Sequence, residues 1–268
     1  MNASMLELVA VPLRAVRRAA FWWAAGLAGL VAMTMAVWPA FQGSSGISQA
    51  IDQLPAGVVQ AFGLQGFGTP AGFLRGNLYD FFVPLLLAVA AVTLASGQIA
   101  SEEAGGRLEL YYAQPVDRRA VLMGRVIAVL VALTVISVVL LIVQLATDAA
   151  VDLRIDKAYV LSTIVLSALL GALHGSLAVA IAGLRARPSL VLSVGLGAAF
   201  AGLIVSSLFP LSSVLAPWRH LSPWDWAFGG NPLEQATEAW RYIALAVPAV
   251  VLTGIGMACV TRRDIASG

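Results

Sequence analysis

Long stretches without a single Asp, Glu, Lys or Arg dominate this sequence. Six of them run between Arg18 and Asp52, Asp80 and Glu102, Arg125 and Asp148, Lys157 and Arg185, Arg187 and Arg219, and Arg241 and Arg262. Each is about 20 residues or longer, enough for a helix rising about 1.5 Å per residue to cross a hydrocarbon layer of about 30 Å. A soluble domain carries about 25% charged residues, whereas this chain carries 11%, with 60% hydrophobic. It has too few polar groups to cover a globule, a demand that lipid removes. Barrel strands would alternate over segments of about 10 residues, and these runs are uniform. The fold class expected is an all-α polytopic membrane protein, one transmembrane domain over 1–268. Its six transmembrane helices are placed near 19–38, 81–100, 124–146, 159–184, 189–209 and 242–260. Pro84, Gly171, Gly175 and Pro248 inside them do not argue against helix, because lipid forbids open backbone. The first run is too long for a signal peptide and five spans follow it, so it reads as a retained signal-anchor.

Arginine placement orients the spans. One set of connections holds Arg14, Arg17, Arg18, Arg107, Arg118, Arg119, Arg125, Arg185, Arg187, Arg262 and Arg263; the other holds Arg75, Arg154, Lys157, Arg219 and Arg241. Eleven cations against five make the first set cytoplasmic, with both termini inside the cell inner membrane. Trp22 and Trp23 mark the inner edge of the first span and Trp38 its outer edge. Trp218, Trp224, Trp226 and Trp240 crowd the last external segment, at the depth indole prefers. A net charge of +2 argues against a nucleic-acid surface. The lone Cys259 allows no disulfide within the chain, suggests no metal site, and reads as a small buried apolar residue.

Residues 1–18 place Leu6, Val9, Leu13 and Val16 at helical spacing ahead of three arginines, which predicts a helix lying on the inner leaflet; the plainer reading is a basic flank. The external loop 39–80 is glycine-rich yet apolar, so short helices packed over the outer side are expected. In the external insertion 210–241, Asn231-Pro232-Leu233-Glu234 combines a cap, a proline at the first helical position and a glutamate three residues on. This predicts a short helix from Pro232 to about Trp240.

The cytoplasmic loop 101–120 is dense in charge within a chain otherwise poor in it. Glu102 and Glu103 are followed by the Gly105-Gly106 turn, a stretch of helix expected over 107–112, and Pro115. A short mixed-charge helix between two spans suits docking to a soluble partner; a solvated hairpin accounts for the same residues. The segment EEAGGRLELYYAQPVDRR resembles the coupling loop of type-2 ABC exporter permeases, the type V fold. The tail Arg262-Arg263-Asp264-Ile265 is similar to the ending of many such permeases. Leu54-Pro55 and Thr69-Pro70-Ala71-Gly72-Phe73 resemble the polyketide-antibiotic and multidrug exporter branch, whose members often carry two such halves in one chain.

The resemblance implies a permease domain that works with a separate ABC ATP-binding subunit, as two permeases, identical or paralogous, plus two ATPases. ATP and Mg would be held by that partner and no cofactor by this chain. The only lysine, Lys157, lies between Asp156 and Ala158, so these residues contain no phosphate-binding GxxxxGK[ST] loop. Closure of the ATPase pair would push on the coupling loop, where Glu102, Glu103, Gly106, Arg107, Glu109, Pro115 and Arg118 are the expected coupling residues. In this fold the second and fifth spans line the path, which offers Phe81, Phe82, Leu86, Phe200 and Phe209 with Ser193 and Ser206; ordinary packing or lipid contact is the bland reading for each. A path so apolar suits a hydrophobic or amphipathic cargo.

His174, Gln98 and Gln144 are the polar groups that stand out inside the spans. An intramembrane ionisable group is a functional candidate by default. A neutral imidazole bonded to a neighbour is simpler here, because His174 lies between Gly171 and Gly175, a pair that permits close helix contact. The Ser193–Gly197–Ala201 stripe suggests helix packing, with a dimer seam one reading of it. Two other classes compete. An ion-coupled transporter would place carboxylates at mid-membrane, and none lies there. A membrane enzyme would cluster acids, His or Cys at one interface, whereas His174 and His220 are far apart. A non-transporting subunit of a membrane assembly remains a further alternative.

Overall fold

A computed structural model describes residues 5–41, 45–61, 66–107 and 117–262. Six helical runs are long and apolar enough to cross a membrane: Glu7–Phe41, Pro70–Ala104, Arg118–Val151, Lys157–Leu184, Pro188–Leu211 and Ala239–Arg262. No strand occurs among the described residues. In chain order the α-helices are α1 (Met5–Phe41), α2 (Ser45–Asp52), α3 (Ala56–Ala61), α4 (Pro70–Leu74), α5 (Phe82–Ser96), α6 (Glu102–Ala104), α7 (Arg118–Val151), α8 (Lys157–Leu184), α9 (Pro188–Leu208), α10 (Pro223–Phe228) and α11 (Ala239–Arg262). The second span is assembled from α4, α5 and α6 joined by π-helical turns at Arg75–Tyr79 and Gly97–Ser101.

The second and fourth spans form the centre. In each, 67% of the most apolar stretch is buried, against 22% in the first and sixth. Glycines set how closely they pack. A Cβ at Gly171 would lie 3.1 Å from the Leu87 carbonyl oxygen, and one at Gly175 would lie 3.1 Å from the Ala91 Cβ. The glycine pair around His174 thus seats α8 on α5. One residue before the C-terminal end of α8, Gly183 faces Gly256 of α11, where an added Cβ would come within 2.8 Å of the Gly256 Cα. Small residues let backbones meet where lipid supplies no hydrophobic drive between helices.

The first span differs from expectation. Residues 5–18 do not form a separate helix; they continue into the span as one helix to Phe41. At about 1.5 Å per residue it is about 55 Å long. Ala19 and Ala20 follow the arginines with no glycine or proline to break the chain. The one proline near this end, Pro12, has no N–H for the Leu8 carbonyl four residues back. Gly124 of α7 packs onto that Leu8 carbonyl. At the other end the Thr147 hydroxyl oxygen lies 2.8 Å from Met35 Sδ. α1 and α7 therefore run side by side in the same direction, and Arg14, Arg17 and Arg18 lie exposed on the outer flank of α1.

The aromatic end of the apolar loop packs on the first and second spans, while Leu54 and Val58 stay exposed. Phe73 packs on Trp38, Phe41 and Phe67 with ring centroids 5.1, 5.2 and 5.5 Å apart. Thr69 caps α4 by accepting from the Gly72 N–H at 3.1 Å, with Pro70 in the first helical position.

The external helix before the sixth span exists, but upstream of the expected site. It is α10, Pro223–Phe228, whereas Asn231-Pro232-Leu233-Glu234 forms a turn. Asn231 has φ +48°, a left-handed conformation, and a helix N-cap needs extended backbone. Ser222 fulfils that requirement at φ −81° and ψ 129°. Its hydroxyl accepts from the Trp224 N–H at 3.1 Å and donates to the Gly202 carbonyl of α9 at 2.6 Å. Arg241 ties α10 to the sixth span by donating to the carbonyls of Asp225 and Trp226, both at 3.0 Å. Replacing Ser222 with alanine should cost about 1 kcal/mol from the lost cap, read as a lower unfolding midpoint of the detergent-purified protein.

Candidate functional site

Two regions of the bundle carry the residues picked out by the sequence. The first is the base of the hairpin between the second and third spans. Arg125, about two helical turns into α7, is buried with its side chain 3% exposed. Its guanidinium donates to one Glu102 carboxylate oxygen from Nη2 at 2.7 Å and from Nε at 3.1 Å. The Nε also reaches the Gln98 carbonyl at 2.9 Å, and Nη1 donates to the Val121 carbonyl at 3.2 Å. The π-helical turn makes this geometry: the Glu102 N–H bonds the Ile99 carbonyl, three residues back, and the Gln98 carbonyl takes the arginine. Such π-turns recur where a helix carries a functional kink. The second and third spans are thereby clamped together at the root of the hairpin.

Beyond the clamp the chain reverses at Gly105-Gly106. Gly106 has φ +70°, where any side chain is strained, and Arg107 is exposed. Glu103 is half-buried on the three-residue α6. On the return strand of the hairpin, Asp117 caps α7 by accepting from the Arg119 N–H at 3.0 Å, with Arg118 half-buried in the first turn. Glu109, Pro115 and most of the helix expected over 107–112 lie outside the described residues, as do Arg263, Asp264 and Ile265.

The second region is a cavity of about 530 Å³ between the second and fifth spans, at their outer ends. Phe81, Phe82 and Phe200 line it with Leu203, Ile204 and Leu208. Three of the path residues expected from sequence therefore come together. The other four do not. Leu86 packs against the core cluster of the first, second and third spans. Ser193 is exposed near the inner end of α9, and Ser206 is half-buried. Phe209 lines a different cavity, of about 400 Å³, with His174, Ser222 and Trp226.

A family profile described as ABC-2 family transporter protein matches residues 12–259. The chain belongs to the ABC-2 transporter family. A search of curated proteins finds no significant match. As an ABC-2 permease it is a multi-pass membrane transport protein.

Each of the intramembrane polar residues singled out in this ABC-2 protein makes a bond within the bundle. His174 Nδ1 lies 2.8 Å from the Leu170 carbonyl. A carbonyl only accepts, so Nδ1 carries the proton and the imidazole is held in that tautomer. Its ring meets Trp224 edge to face at 5.4 Å. Gln144 accepts from the Tyr79 hydroxyl at 3.0 Å, joining the outer ends of the second and third spans. Gln98 contributes its backbone carbonyl to the Arg125 clamp.

Two ion-paired arginines were not anticipated. Arg125 looked like one more cation of a basic loop. The signal that could have revealed it is an opposite charge, Glu102, at the facing end of the same hairpin. Arg75 is the other. It donates to Glu234 at 3.1 Å and holds Asp80 at 3.4 Å, bridging the start of the second span to the last external segment.

Proposed function

We propose that this protein is the membrane subunit of an ATP-driven exporter, moving a hydrophobic or amphipathic small molecule out of the cytoplasm or the inner leaflet. The observation that carries the reading is the Arg125–Glu102 clamp, which fixes the charged hairpin rigidly to two spans, one of which walls the aromatic cavity. Force that reaches the root of the hairpin passes through the clamp to that wall. A separate ABC ATP-binding subunit, holding ATP and Mg, supplies that force, and two permeases act with two ATPases. The hairpin and both termini face the cytoplasm, consistent with the arginine asymmetry.

Within the hairpin the residues divide by burial. Glu102, 17% exposed and paired, serves transmission. Glu103 and Arg107 are placed to meet the ATPase groove, and Gly106 sets the turn that presents them. Affinity-tagged protein purified from its own membranes should bring an ABC ATPase with it. Charge reversal as Glu103→Lys with Arg107→Glu should reduce that recovery about tenfold, the effect of roughly 1.4 kcal/mol of lost charge complementarity. Recovery and stimulated ATPase activity equal to wild type would show that the partner docks elsewhere. Transport by reconstituted protein with no ATP hydrolysed would point to ion coupling instead.

A further inference from the structure

The aromatic cavity has a charge imbalance at its edge. Among the described residues that line it, Asp80 is the one ionisable group, accompanied by Ser207 as the other polar side chain. Asp80 is paired with Arg75, with Nε at 3.5 Å from one carboxylate oxygen and Nη2 at 3.4 Å from the other, which are long for charge-assisted bonds. The same guanidinium makes its shorter contact with Glu234, at 3.1 Å. One cation, its side chain 11% exposed, therefore serves two carboxylates, and the Asp80 carboxylate remains 28% exposed. With both carboxylates ionised the group sums to one negative charge beside walls of phenylalanine and leucine. Apolar walls weaken screening and concentrate the field of such a charge in the cleft. An anion entering here would lose hydration and meet repulsion, whereas a cation would meet Asp80 on one side and aromatic rings on the other.

We infer that the cavity selects hydrophobic cations, with Asp80 as the charge-reading residue and Phe81, Phe82 and Phe200 as the apolar wall. This rests on the reading of the cavity as part of the cargo path, and it names the class of cargo that path takes. Asp80 is positioned for this by its neighbours. Glu234 draws Arg75 toward the external segment, which leaves the carboxylate only loosely neutralised.

Tetraphenylphosphonium and tetraphenylborate test it directly, since they share size and shape and differ in the sign of charge. Binding of each radiolabelled ion to the full chain in nanodiscs is measured by equilibrium dialysis, with empty nanodiscs subtracted for partition into lipid. The wild type should bind the phosphonium at least about tenfold more tightly than the borate, the effect of one partly desolvated charge contact. Asp80→Asn should abolish that preference while leaving borate binding unchanged or stronger. Phe200→Ala should weaken both ions together. Ser207→Lys, which adds a cation to the wall without touching the Arg75 group, should reverse the preference, and it serves if Asp80→Asn fails to fold. Equal binding of both ions that is lost in Phe200→Ala would overturn the charge selection and leave the cargo path standing. No saturable binding of either ion would remove the path reading, and the selection with it.

Discussion

Arg125→Met is expected to destabilise the protein by about 3–5 kcal/mol, because it leaves the Glu102 carboxylate buried without its partner. The guanidinium makes four hydrogen bonds, to Glu102, Gln98 and Val121, and none survives the substitution. Glu102→Gln should cost less, about 1–2 kcal/mol, since a neutral amide can still accept from the arginine. The informative variant is the double substitution Arg125→Met with Glu102→Leu. A buried ion pair replaced whole by apolar groups is often neutral for stability. The double variant should therefore recover most of the loss, a coupling that a double-mutant cycle reads as an interaction energy. Its coupled ATPase activity should nevertheless stay low, because a hydrophobic contact slides where a forked hydrogen bond does not. Reversible unfolding in mixed micelles measures the first effect and reconstituted ATPase stimulation the second. A cost below about 1 kcal/mol for Arg125→Met would mean that the clamp does not hold the hairpin root.

Gly124→Leu should be nearly as damaging. Gly124 is buried against the Leu8 carbonyl, and a Cβ there would strike backbone rather than a yielding side chain. Forcing α1 away from α7 also parts the Val16, Ala20, Leu122 and Val126 packing beneath it. A loss of about 3 kcal/mol is expected, at the upper end for overpacking in a core. Gly124→Ala should already show part of it, because the clash begins at the first carbon. An equal and opposite control is Gly197→Ala on α9, where an added carbon meets nothing within 4 Å and stability should not change. Thermal denaturation followed by size-exclusion chromatography separates the two cases.

The positions of the spans were legible because hydropathy and charge report the same boundary, the edge of lipid. The third span was expected over 124–146 and the helix runs Arg118–Val151; the fourth was expected over 159–184 and runs Lys157–Leu184. Capping explains the surplus, since Asp117 and Asp156 start these helices in the polar layer beyond the apolar run. The continuity of α1 was not legible, because an amphipathic basic segment has the same pattern whether it lies on the leaflet or extends the span. The Asn231 turn was misread because a capping pattern gives residue types and not φ, and φ decides. The glycine pair at Gly171 and Gly175 was read correctly as a contact, since small residues at that spacing have few other uses in lipid. The Arg125–Glu102 clamp needed three dimensions. Twenty-three residues separate the partners, and only the return of the chain brings them together. For the path, the sequence supplied the spans and their aromatic residues, while the cavity lies at one depth and so takes in Phe81, Phe82 and Phe200 and excludes Leu86 and Ser193.

The account turns on the hairpin being the inner face that takes up force. The direct measurement replaces Arg107, an exposed residue at its described tip, with cysteine in a Cys259→Ser background and labels it with a membrane-impermeant maleimide. Labelling should occur in inside-out vesicles and fall when the ATP-binding subunit is bound. Labelling of intact cells from the medium, with inverted vesicles unreactive, would contradict it.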